Sequence, residues 1–354
     1  MNGARRAAVL GIVSIGLYAL ALGGAGERLG RSMTERLGRE RMREVIVARD
    51  SLAEPLSSAA PAAAKPLLRP EPLSGGAYLP LAEQLPAEAA PPPYDMREQI
   101  QETTIMGGLS INNATSYSVD AAEILQGGPG LSLDAGRPQI LIIHTHSSEA
   151  YTQAGLDRYQ PSDSCRTEDT QFNVVRIGDE LTEIFQQAGL EVIHDRGIYD
   201  YPSYTGSYSR SGKAVEQYLK DSPSIKIVLD IHRDALASGD VVYKTMAEEE
   251  GEVASQLMLL AGSDESGLEH PGWRQNLALA LYLQNAAISQ HPTLMRPVSL
   301  VRERYNQQLS PGSLILEVGS NGNTLREALA GIRLFGQAVA PALLRLVKAD
   351  PGAI

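Results

Sequence analysis

The sequence predicts a three-layer α/β/α domain with a largely parallel central sheet, on three observations. Apolar runs of strand length alternate with stretches of helical periodicity through residues 98–350, the order that builds a parallel sheet covered on both faces. Two of the runs, ILII at 140–143 and IKIVLDI at 225–231, are almost continuously apolar, as strands buried on both sides are. Polar residues with metal-binding or acid–base chemistry gather where these runs end, and an open parallel sheet binds its ligands beyond the carboxyl ends of its strands.

The chain opens with Arg5 and Arg6 ahead of an uncharged run, residues 7–26. About 20 apolar residues suffice to cross a bilayer as a helix, and the flanking arginines place residues 1–6 in the cytoplasm and the rest outside it. A cleaved signal peptide, with Ala19-Leu20-Ala21 as its small-residue site, is the rival reading. The expected product is a single-pass cell-membrane protein whose main domain lies outside the cytoplasm. Residues 27–97 read as a stalk: a mixed-charge stretch over 27–55, then a Pro- and Ala-rich segment without period that suits an extended linker.

Within the domain, INNATSY and SYSVD (111–120) read as a short edge segment. Strands are expected at 139–143, 190–194, 225–231, 257–261 and 314–318, and helices near 171–188, 209–220, 273–290 and 324–347. Pro341 should kink or divide the last helix. The net charge of −11 argues against a nucleic-acid partner, which needs a basic face. A single cysteine, Cys165, excludes an internal disulfide framework and a cysteine zinc cage. Any metal must therefore rest on histidines and carboxylates.

Three predicted strands end in such residues. ILII runs into His144 and His146, with Glu149 close behind; IKIVLDI runs into His232; LILEV carries Glu317. A lone histidine at a strand end is usually an ordinary hydrogen-bonded boundary residue. A glutamate inside an apolar strand is rarer, because a buried carboxylate needs a partner or a proton. Imidazole with carboxylate suits zinc (Zn²⁺) with one position left for water, and Glu317, raised by burial, suits a general base and acid. For the third ligand the candidates are Glu149, Glu168 just ahead of a helix, and His144, which shares a face with His146 if the chain is extended.

ILIIHTHSSEAY, NVVRIGDEL, DIHRDA, HPGWRQNLALA and RYNQQLSPGSLILEVGSNGNT, in this order, together resemble the stage II sporulation protein P family, over roughly residues 98–350. The resemblance implies an amidase-like fold related to the zinc-dependent N-acetylmuramoyl-L-alanine amidases. It implies zinc on His146 and His232, catalysis by Glu317, and Glu149 as further ligand with Glu168 as rival. The implied activity is peptidoglycan hydrolysis at the amide between muramic acid and L-alanine, with endopeptidase action on cross-links as a second activity. The implied setting is septal wall remodelling and engulfment during sporulation, with stage II sporulation proteins D and M as partners.

Arg302, Asn306 and His270 are the expected substrate contacts. Arg302 is placed to bind a stem-peptide carboxylate or to pair with Glu317, and His270 to touch glycan or to pack at a helix start. His194 reads as structural, and His291, before Pro292, as a helix-end residue. Two other functions compete: another metal-dependent hydrolase of envelope polymers, such as a deacetylase, and a non-catalytic anchored scaffold that binds wall.

Overall fold

Leu-, Ile- and Val-rich segments form the central sheet of the computed structural model, which describes residues 100–238, 241–249 and 251–348. The expected cytoplasmic tail, membrane helix and linker lie outside the described residues. The elements are β1 (Ile100–Thr103), β2 (Ile111–Asn113), α1 (Ala121–Gly127), β3 (Leu133–Asp134), β4 (Ile140–Ile143), α2 (Val174–Gln187), β5 (Val192–His194), α3 (Ser207–Asp221) and β6 (Ile227–Asp234). After them come β7 (Ala237–Ser238), β8 (Val241–Glu249), β9 (Glu252–Ser255), β10 (Leu257–Ala261), α4 (Trp273–Ile288), β11 (Val298–Leu300), β12 (Gly312–Ser320), α5 (Leu325–Leu344) and β13 (Val347–Lys348).

The main sheet has seven strands in the order β2-β11-β10-β12-β6-β4-β5. Its five expected strands are all present, and INN forms its edge as β2. The sheet is parallel throughout except where β10 meets β12 antiparallel. Two parallel blocks thus stand back to back and point in opposite directions. This junction corrects the expectation of one run of strand ends: the loops leaving β10 and β11 emerge at the edge where β12 and β6 begin. A smaller sheet, β1-β8-β7 with β9 on β8, was not anticipated, nor was β11.

Side-chain alternation along the strands divides the core. Ile140, Ile142, Ile227, Leu229, Ile231, Leu314, Leu316 and Val318 pack with α2, α4 and α5. Leu141, Ile143 and Val228 face the other way, against Val215 of α3. Helix α2 starts where Asn173 caps the Val175 N–H at 3.0 Å. Helix α5 starts with a reciprocal capping box between Thr324 and Glu327.

Helix α5 runs on through Pro341 to Leu344 rather than breaking. The proline falls in the final turn, and the Arg345 N–H closes the helix on the Pro341 and Leu343 carbonyls. Val347 then leaves the expected helix to pair with β3 as part of β13. Among the described residues α5 is the one helix long and apolar enough to cross a membrane, but 67% of its apolar window is buried inside the domain. It is a core helix.

Candidate active site

Strand β6 builds the floor of the site. Val228, Asp230, His232 and Asp234 alternate onto one face, the face that Val228 packs towards α3. On the parallel neighbour β12, Glu317 pairs in register with His232, so both side chains rise side by side. Beyond Glu317 the register slips before Ser320 meets Asp234. Gly319 provides that bulge at φ +65°, and a Cβ there would stand 2.9 Å from Asn323 Oδ1 and 3.0 Å from Ser255 Cβ. Strand bulges beside active sites re-aim side chains.

His146 reaches the site from the end of β4. Its ring lies perpendicular to that of His232, with centroids 5.2 Å apart. Tyr204 stacks on it at 4.4 Å, with Tyr204 Oη 3.0 Å from His146 Nε2 and Ser207 Oγ 3.4 Å from Nδ1. Burial pushes the His146 imidazole down to about 3, so it is neutral and able to ligate.

His144 does not join it. The Ile231 carbonyl can only accept, so His144 Nδ1 donates to it at 3.1 Å, and Nε2 accepts from His194 Nε2 at 2.8 Å. The expectation that His144 and His146 share a face assumed extended chain. The backbone instead turns after His144, with the Glu149 N–H closing on the His146 carbonyl at 3.0 Å. His194, expected to be structural, pairs with His144 at 2.8 Å and stands 3.2 Å from Asp179.

Glu149 is the carboxylate that enters the cluster. Its Oε2 lies 3.5 Å from His232 Nδ1 and accepts the Arg233 N–H at 3.2 Å, and its Oε1 accepts from Arg166 Nη2 at 3.3 Å. Burial works to raise this carboxyl, but Arg233, His232 and Arg166 outweigh it and hold it well below the usual range. Glu168 is exposed on the loop before α2 and stays outside the buried cluster.

Asp230 was not foreseen. It stands 2.9 Å from His232 Nε2, without the alignment of a good hydrogen bond, and takes the Thr145 N–H and hydroxyl at 2.7 and 2.6 Å. Burial opposes charge on His232, yet Asp230 and then Glu149 hold it well above the ordinary histidine range. Burial and the nearby Asp234 push Glu317 up to about 8, against His232 and Arg296. Glu317 is 6% exposed, and its Oε2 has no partner among the described residues.

The expected substrate residues are dispersed. Arg302 pairs with Glu265 at 2.8 Å and not with Glu317, and buried His270 lies at the start of α4. Both come after strands of the reversed block, so both emerge away from the carboxyl end of β12. Asn306 donates to the Tyr208 carbonyl at 2.7 Å beneath the site, in a left-handed backbone position. Besides Asp230, the structure adds Tyr204, Arg166 and Arg296. Asp230 had a legible signal, since it lies two residues before His232 on one strand face; the other three come from loops and carried none.

The donor set can be compared with what zinc requires. Among the described residues no group of three or more His, Cys, Asp or Glu side chains already forms a cage. The 3.5 Å between His232 Nδ1 and Glu149 Oε2 is long for a hydrogen bond, yet it approaches the ~3.3 Å edge of a tetrahedron with zinc bonds of 2.0–2.1 Å. Asp230 behind His232 matches the carboxylate that commonly backs a zinc-bound imidazole. His146 completes the set once one hydroxyl, Tyr204 or Ser207, gives way. The residues fit zinc.

Fold and site together define an α/β protein with a buried two-histidine, carboxylate-rich cluster at the ends of parallel strands. A family model described as stage II sporulation protein P matches residues 76–340, and the chain belongs to that family. It is 24% identical over 258 residues to stage II sporulation protein P of Bacillus subtilis (strain 168), covering 69% of this chain and 58% of that relative's length. Among solved structures it is similar to the N-acetylmuramoyl-L-alanine amidase AmiC2 of Nostoc punctiforme, at 13% identity, 60% of this chain, 97% of that chain and TM-score 0.35. It is similar also to the CwlD amidase of Clostridioides difficile in complex with the GerS lipoprotein, at 14% identity, 59% and 98% coverage and TM-score 0.36. Likenesses of that size carry no further conclusion.

Proposed function

We propose that this chain is a zinc-dependent cell-wall hydrolase that cleaves the amide between N-acetylmuramic acid and L-alanine of peptidoglycan during sporulation. The observation that carries the reading is a buried Glu317 carboxyl with an unpartnered Oε2, in register with His232, whose ring meets His146 and Glu149.

His146, His232 and Glu149 would hold the ion. When bound, zinc supplies a Lewis acid for the scissile carbonyl and a water acidic enough to attack near neutrality. Glu317, held near 8 by burial, is poised to accept a proton from the nucleophile and return it to the leaving amine. Asp230 stands against the His232 ring and favours its charged form, and Arg233 and Arg166 hold the Glu149 carboxylate ionised. The low exposure of these groups keeps bulk water out and strengthens each charge interaction.

The same reading places the domain outside the cytoplasm on a membrane anchor, with stage II sporulation proteins D and M as partners and endopeptidase cleavage of cross-links as a second activity. The test is digestion of purified peptidoglycan by the full-length chain, with and without chelator, and products identified by mass spectrometry. Chelator-sensitive release of free stem peptides is the expected result. Release of acetate instead would sink the amidase in favour of a deacetylase, and no release with zinc restored would leave a wall-binding scaffold.

A further inference from the structure

Arg296 enters the site from the half of the sheet that runs the other way. It stands just before β11, and its N–H donates to the Leu257 carbonyl at 2.8 Å, beside the amino end of β10. Because β10 runs antiparallel to β12, this position lies at the edge where β12 and β6 end. Arg296 Nη1 donates to Asp234 Oδ2 at 2.9 Å. Asp234 shares a face of β6 with His232, so the arginine side chain must cross β10 and β12 on the face that carries Glu317.

The residue is 3% exposed, yet Nε and Nη2 have no partner among the described residues. These are the two adjacent donors on the side-on edge of the guanidinium, the edge that grips a carboxylate through two parallel bonds. A buried cation with two idle donors is costly, and neutralising Asp234 needs only Nη1. Glu317 does not satisfy them, since its buried Oε2 is itself unpartnered. Arg302, expected from the sequence to bind a substrate carboxylate, is committed to Glu265 elsewhere.

We propose that the Nε/Nη2 edge of Arg296 binds a carboxylate on the peptide arm of the substrate, next to Glu317, and so selects acidic over amidated peptides. The identity of the ligand rests on the hydrolase reading above. In a muramoyl peptide beginning L-alanyl-D-glutamate, the glutamate α-carboxylate lies one residue past the scissile amide.

The test uses the full-length chain stripped of metal, so that nothing is turned over, and two probes that differ only in that group. N-acetylmuramoyl-L-alanyl-D-glutamate and its α-amide, N-acetylmuramoyl-L-alanyl-D-isoglutamine, are titrated calorimetrically. A charge-assisted bidentate contact predicts about tenfold or greater preference for the acid. Arg296→Lys, which keeps the charge beside Asp234 but loses the fork, should erase the preference while amide binding persists. If the lysine variant fails to fold, R296Q with D234N removes the buried pair together and should give the same loss. Equal binding of both probes, no binding of either, or a preference that survives these substitutions would overturn the proposal. Wall digestion separates the two readings: stem-peptide release without acid preference sinks Arg296 alone, whereas acid preference without release sinks the hydrolase and leaves a carboxylate site.

Discussion

Glu317 and His232 are paired residues on neighbouring parallel strands, set side by side on the face of the sheet that α3 covers. One is a carboxyl that burial drives towards its neutral form, the other an imidazole that two carboxylates drive towards its charged form. Under the proposed function, this pair sets the chemistry of the site and its response to pH and metal.

Replacing Glu317 by Gln keeps the shape and removes the proton acceptor. Turnover on peptidoglycan should fall by about 100-fold or more, with zinc content by atomic absorption unchanged. Retained turnover would move the acid–base role elsewhere.

The same variant should change how stability depends on pH. Glu317 titrates near 8 when folded against about 4.3 unfolded, so the folded chain binds more protons between these values. Its contribution is fully present below the unfolded value and is lost as pH rises through about 8. Metal-free Glu317→Gln should match the native Tm near pH 4 and exceed it at pH 8. A constant difference across that window would contradict the buried carboxyl.

Glu149 and Glu168 can be separated directly. Glu149→Gln should weaken zinc binding by at least about tenfold in a competition titration with a chromophoric chelator, because it removes a charged group at the His232 ring. Glu168→Gln, on an exposed loop, should leave the titration unchanged. The reverse outcome would require the loop before α2 to fold inward on metal.

Zinc uptake should release a proton. His232 is held well above the ordinary histidine range in the metal-free chain, and a ligating imidazole must give up that proton. Calorimetric titrations at pH 7 in buffers of different ionisation enthalpy should show release of about one proton per site, with weaker binding as pH falls. Buffer-independent heats would place His232 outside the metal shell.

Gly178 supports the other histidine. A Cβ there would stand 2.5 Å from His194 Nε2 and 2.6 Å from His144 Nε2, so Gly178→Ala must push that pair apart. A loss of about 1–3 kcal/mol is expected, read as a lower urea midpoint with an unchanged slope. An unaltered midpoint would mean that the pair adapts freely.

Local pattern determined much of this protein. The five apolar runs became the five central strands, and the helices fell within a few residues of their expected bounds, because period and capping are properties of adjacent residues. His146, His232 and Glu317 were legible for the same reason, each lying at or near the end of an apolar strand where burial of a polar group demands an explanation. What only the tertiary structure decided is long-range pairing. The antiparallel contact of β10 with β12 is invisible to periodicity, yet it carried His270 and Arg302 away from the site and brought Arg296 into it. The turn after His144, closed by the Glu149 N–H on the His146 carbonyl, separated two histidines that extended chain would have kept together. Which carboxylate meets His232 was settled likewise by through-space contacts of Glu149 with Arg233 and Arg166, which no spacing in the sequence encodes.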